Sequence, residues 1–186
     1  MDASRRAGWS PHELTERRGE RTVTDQSPNR RTELTGLALF LLLAFAAGGI
    51  GSLLQGADVG ARYLVYERPA WAPPSWAFGI VWPVLYVLIG VAAWRVWRAA
   101  GSVWAAAGPL ALWGVQLLLN ALWPWVFFGL EAFWPAVAVI IVLDVVVLAT
   151  IVAFARHDRP AAWLMVPYLL WILYASALNI AIAALN

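Results

Sequence analysis

Gln116 and Asn120 stand four residues apart in an otherwise apolar stretch, so on a helix their two amides share one face. Trp123 and Phe127 continue close to that face. A second stripe, Tyr168, Trp171, Ala175, Leu178 and Asn179, recurs at helical spacing later in the chain, and Trp82 with Tyr86 makes a third. Together they can wall a cavity with indole, phenol and amide groups, which suits a flat, hydrophobic, weakly polar ligand. The competing reading is that the amides are hydrogen-bond glue between helices. Spacing alone leaves both open. Asp144 sits in the middle of a Val- and Ile-rich run. A charge at the centre of a bilayer costs about 2.5–3.5 kcal/mol on insertion scales. Asp144 therefore reads either as a proton or ligand site, or as a neutral carboxyl bonded to a neighbouring helix.

Other chemistry is excluded by residue type. The chain has no Cys, so it has no disulfide, thiol nucleophile or thiolate metal site. Its two His, His12 and His157, fall in a polar tail and a short connection, and no metal ligand set is expected. No Gly-rich phosphate loop, zinc-type His spacing or nucleophile elbow occurs, and no cofactor is implied. A net charge of +2 gives no basic surface for nucleic acid.

These stripes need long apolar elements to carry them. Apolar residues are 62 % of the 186, against roughly 45–50 % in globular domains, and charged residues only 13 % against about 25 %. Residues 1–33 hold seven Arg and six acidic residues. We read 1–34 as a disordered polar tail and 35–186 as one membrane domain. Five apolar segments, near 35–55, 76–97, 104–128, 133–154 and 161–185, are each long enough to cross about 30 Å of hydrocarbon. The fold class is an all-α membrane protein, a five-transmembrane-helix bundle. One long connection, 56–75, carries three prolines at Pro69, Pro73 and Pro74 and is expected to be extended, folded over one mouth of the bundle as a lid. Of the 13 Arg, only Arg62 and Arg68 fall on the side opposite the tail, which predicts a cytoplasmic N-terminus and an outward C-terminus and first loop. Trp94, Trp97, Trp104 and Trp163 read as interfacial belt residues, and Trp71, Trp76, Trp82, Trp123, Trp134 and Trp171 as bundle or lid residues. Ala44, Gly48, Ser52 and Gly56 at four-residue spacing predict close helix packing within the bundle, with a dimer face as the alternative.

Several ordered blocks resemble one known family. Gly48-Gly49-Ile50-Gly51-Ser52 is similar to its first-helix block, and Tyr63 with Arg68-Pro69-Ala70-Trp71-Ala72-Pro73-Pro74 to its loop signature. Trp82-Pro83-Val84-Leu85-Tyr86 is similar to its second helix, and Gln116, Asn120, Trp123 and Phe127-Phe128-Gly129 to its third. Pro167-Tyr168-Leu169 with Trp171, Leu178 and Asn179 is similar to its fifth. The chain thus resembles the TspO/MBR family, the translocator or peripheral benzodiazepine receptor proteins, over about residues 36–181. The resemblance implies a five-helix bundle in the lipid bilayer, often a homodimer. It also implies a cavity for porphyrins such as protoporphyrin IX and for other hydrophobic small molecules. On this chain the implied ligand residues are Trp71, Pro73, Pro74, Trp82, Tyr86, Gln116, Asn120, Trp123, Phe127, Trp171, Ala175 and Leu178. Transport, sensing or sequestration of the porphyrin are the implied roles. An alternative is light-dependent porphyrin breakdown, in which Trp82 and Trp171 would be the catalytic pair. A second alternative is a structural or interaction protein of the membrane with no small ligand. The segment after Asn179 lacks the Tyr and basic residue of the sterol motif of animal members.

Overall fold

The computed structural model describes residues 30–186, and the expectation of a disordered tail over residues 1–29 lies outside them. Five helices are long and apolar enough to cross a membrane. They are α1 (Arg30–Leu54), α3 (Ser75–Ala100), α4 (Ala107–Pro124), α5 (Phe133–Ala155) and α6 (Arg159–Leu185). α4 runs on through a π-helical turn, Trp125–Gly129. Among the described residues there is no strand. Backbone polar groups have no water to bond in hydrocarbon, and a helix satisfies them internally, so the Val/Ile-dense run of α5 is helical despite its β-branched side chains. α1 begins at Arg30, inside the stretch expected to be tail; Glu33 in its first turn faces Arg98 of α3 at 3.4 Å.

The connection between the first two spans departs from the extended form that its prolines suggest. Val59–Val65 forms a short helix, α2. Seven residues are too few to hold a helix by propensity. Its side chains hold it instead. Arg62 donates to the carbonyls of Phe128, Gln55 (3.2 Å) and Ala57 (2.8 Å), and so ties α2 to the ends of α1 and the π turn. Gly56, at φ 86, lets the chain turn beside that guanidinium. Beyond α2 the Pro-rich segment is stitched to α6. Tyr174 donates to the Trp71 carbonyl (2.9 Å), and the Asn186 amide pairs with both backbone groups of Glu67.

α3 to α6 form the packed centre, through Ile89, Ala92, Ala93 and Val96 of α3, Trp113 and Leu117 of α4, Val147 and Phe154 of α5, and Met165, Tyr168 and Ile172 of α6. α1 lies across this centre at a slant. At the arginine-rich end it meets α3: Gly36 faces Trp97, the backbone at Phe40 and Leu41 faces Gly90, and Trp94 donates to the Glu33 carbonyl at 3.1 Å. At the other end it leans on α4, where Gly51 faces Ala121 and Pro124. The small-residue stripe is spent inside the bundle only in part: Ala44 is fully buried and Gly48 faces the Tyr86 ring, whereas Ser52 and, beyond the helix end, Gly56 are exposed. The Trp expectations divide. Trp104 and Trp163 are exposed as belt residues should be, but Trp97 packs on Phe40 in the α1–α3 contact, while Trp76 and Trp134 face outward.

Candidate functional site

At the α2 end the helices diverge around a cavity of about 510 Å³, a size suited to a drug-sized or larger ligand. Trp82, Tyr86, Asn120, Trp123, Phe127, Ala175 and Leu178, seven of the candidate ligand residues named from the sequence, line it. Their hydrogen bonds decide its chemical character. At the floor the Tyr86 hydroxyl donates to Asn120 Oδ1 (2.9 Å), and Asn120 Nδ2 donates to the buried Tyr168 hydroxyl (3.1 Å). Trp82 stacks on Tyr86, with centroids 5.5 Å apart and planes at 25°. On the side wall Trp123 stacks on Phe127 at 5.2 Å and donates to Asn179 Oδ1 (2.9 Å), while Asn179 Nδ2 donates to the Phe133 carbonyl (3.3 Å).

The Tyr86, Asn120, Trp123 and Asn179 donors are therefore committed to protein acceptors; the Trp82 indole N–H is not among them. What remains for a ligand is aromatic surface, the Trp82 indole N–H, the lone pairs of the Tyr86 oxygen, and the polar side chains of Ser52, Gln55 and Ser75 at the rim. Pro83 has no N–H to give the Gly79 carbonyl one turn back, which adds an acceptor on the α3 side.

Five of the residues proposed to touch ligand do not reach the cavity. Gln116 lies one turn below Asn120, under the floor, fully buried and with both amide atoms unpartnered. Trp171 stands behind Phe78 (5.9 Å, edge-on), and it is Phe78 that faces the cavity. Trp71 packs on Tyr174 and is half-exposed. Pro73 and Pro74 are also absent from the wall; Pro73 acts through its carbonyl, which accepts from the Tyr63 hydroxyl at 3.0 Å. Conversely, the wall includes Phe45, Gly48 and Gly49 of α1, Tyr63 of α2 and Gly79 of α3, which sequence reasoning did not assign to it. The Gly48–Ser52 block was a signal for some of them, but glycine carries no side chain to suggest a ligand. Asp144 is away from the cavity. It lies eleven residues from either end of α5, accepts from Ser176 at 2.7 Å through Oδ2, and its Oδ1 is buried without a partner.

Two phenols at the α2 end give this region a pH dependence. Burial pushes the Tyr63 hydroxyl above its ordinary 10.0, partly offset by the Arg68 guanidinium 4.6 Å over its ring. Burial, with the nearby Glu131 carboxylate, pushes Tyr66 up as well. A raised folded value means stability that is complete below about pH 10 and lost as pH climbs through the folded values. The α2 segment is expected to loosen before the spans do in an alkaline titration. Phenolate absorbance should show this as a late, cooperative rise that Tyr63→Phe diminishes; an unshifted titration would refute it.

The chain is similar to known proteins over most of its length. The profile of the TspO/MBR family matches residues 40–185. "Tryptophan-rich protein TspO" of Archaeoglobus fulgidus is 40 % identical over 150 residues, covering 81 % of this chain and 96 % of that protein. "Protein CrtK" of Rhodobacter capsulatus is 35 % identical, over 82 % and 94 % of the two chains. The bovine "Translocator protein" is 32 % identical, over 75 % and 83 %. With five apolar spans and a match over nearly all of the described residues, this membrane protein belongs to the TspO/MBR family.

Proposed function

We propose that the protein binds porphyrins, or similarly flat hydrophobic molecules, in the cavity at the α2 end, and serves their transport, sensing or sequestration. The observation that carries the reading is the wall itself: stacked aromatic faces, with the Tyr86 hydroxyl and the Trp123 indole donating to Asn120 and Asn179, and those two amides donating onward to Tyr168 and the Phe133 carbonyl. Such a wall rewards a wide apolar face and penalises a ligand that needs many hydrogen bonds. The names of relatives, "Translocator protein" and "Tryptophan-rich sensory protein", agree with a carrier or sensor role. The Pro-rich segment, tied to α6, is the proposed cover. A homodimer is the proposed assembly, with the exposed part of the small-residue stripe, Ser52 and Gly56, as its candidate face.

The test is a protoporphyrin IX titration in the dark, followed by Trp fluorescence. Saturable quenching is expected. Ala175→Trp, which places an indole in the cavity, should weaken binding by about tenfold or more, equivalent to about 1.4 kcal/mol. Trp171→Phe should change affinity by less than about threefold, because Phe78 stands between this indole and the ligand. Linear quenching like that of an unrelated Trp-rich membrane protein would remove the reading. The degradation alternative asks both Trp82 and Trp171 to touch the porphyrin, and only Trp82 lines the cavity. Equal porphyrin loss under light with and without Trp82→Phe would eliminate it.

The orientation proposal rests on the ends of the bundle. Arg30, Arg31, Arg95, Arg98, Arg156 and Arg159 cluster at one end, and Arg62 and Arg68 at the other. A single Cys placed in the Pro-rich segment of this Cys-free chain should react with an impermeant thiol reagent added outside intact cells. Protection there, with labelling only after lysis, would reverse the assignment.

A further inference from the structure

We infer that ligand reaches the cavity sideways, out of the hydrocarbon of the bilayer, through a slot between α1 and α3. The inference rests on the proposal that the cavity holds a hydrophobic ligand. The slot follows from the slant of α1. At the arginine-rich end α1 and α3 touch backbone to backbone, at Gly90 and Phe40. At the α2 end α1 leans on α4, with Gly51 against Ala121 and Pro124, and it meets α3 through Gly48 and Phe45 against the Tyr86 ring, at the deep edge of the slot. The cavity wall reports this division. The residues it draws from α4 and α6 are mostly buried, Asn120, Phe127 and Leu178 among them. Several that it draws from α1 and α3, such as Phe45, Gly49, Gly79 and Pro83, are exposed. A Cβ added at Gly49 or Gly79 would meet open space.

Depth identifies the medium outside. On α3 the slot runs from Gly79, about 6 Å below the helix end, to Tyr86, about 16 Å below it, at 1.5 Å per residue. That lies within the span, where the surroundings are acyl chains. No charged residue of α1 or α3 lines the cavity, so a flat apolar molecule crosses this edge without stripping a charge. The water-facing end is partly covered: Tyr63 of α2 is buried across it, its hydroxyl fixed to Pro73, while Gly60 and Ser75 of the wall are exposed there. The sideways route favours molecules that partition into the membrane first.

The test uses the double variant Ile50→Cys/Ile80→Cys, at the exposed sequence neighbours of Gly49 and Gly79 that do not line the cavity, reconstituted in vesicles and bridged by a reducible bis-methanethiosulfonate reagent. Protoporphyrin IX is supplied from donor vesicles. Bridging should slow uptake by at least about tenfold while the equilibrium affinity stays within about threefold, and reduction should restore the rate. Unchanged uptake, or a collapse of affinity in place of rate, overturns the route. If neither the wild type nor the unbridged variant binds porphyrin, the proposed function has failed, and nitroxides on the same two cysteines decide the slot by themselves. Relaxation by oxygen and not by an aqueous nickel chelate supports a lipid-facing opening; the reverse overturns it.

Discussion

Replacing Asn120 with leucine is expected to weaken porphyrin binding by about tenfold and to cost about 2 kcal/mol of stability. Asn120 is the middle of the floor, accepting from Tyr86 and donating to Tyr168. Leucine keeps much of the volume and removes both bonds. Tyr168 is wholly buried, so its hydroxyl loses its donor with no water to replace it. Tyr86 faces the cavity and can swing into it, taking away the surface on which Trp82 stacks. The stability loss and the affinity loss therefore share one cause. The double variant Asn120→Leu/Tyr168→Phe removes both ends of one bond, and its stability cost should be smaller than the sum of the single costs. Full additivity, or an Asn120→Leu protein that binds like the wild type, would show that the floor does not hold the cavity in shape.

Gly90→Leu should be the most damaging substitution in α3, lowering stability by about 2–3 kcal/mol. A Cβ at Gly90 would lie 3.0 Å from the Leu41 Cα and 3.1 Å from the Phe40 carbonyl oxygen. Both are backbone atoms, which cannot rotate aside, so α1 as a whole must move. Gly79→Ala in the same helix meets no atom within 4 Å and should gain about 0.5 kcal/mol from helix propensity alone. Reversible unfolding in mixed micelles measures both. Equal effects would mean that α1 and α3 are not in close contact at the arginine-rich end.

The spans were legible because each is a continuous apolar run, and bilayer thickness leaves little choice of length. α2 was not legible. Val59–Val65 is too short to show a helical period, Gly60 lies inside it and its start has no side-chain cap; the bonds that hold it, from Arg62 to Phe128 above all, link residues far apart in sequence. At the site, helical spacing identified the stripes and could not say where along each stripe the cavity ends. Gln116 shares a face with Asn120 and fell under the floor because Tyr86, Asn120 and Tyr168 close the space between them. Trp171 lies one turn before Ala175 on α6 and was displaced by Phe78, a residue with no polar atom to mark it. The α1 side of the wall was hidden for the opposite reason: Gly48 and Gly49 contribute by what they lack.

The shallow seat of α1 has a consequence for how the protein is made. α1 buries only Gly36, Phe40, Ala44, Ala47 and Gly51, whereas α6 buries eleven residues along its length. The helix that leaves the ribosome first thus has the least to gain until its neighbours exist. It should wait in the bilayer as a lone inserted segment and join last, once α3 and α4 have emerged to receive its glycines. Assembly then runs against the order of synthesis, and the binding chamber is completed by the earliest-made of the five spans.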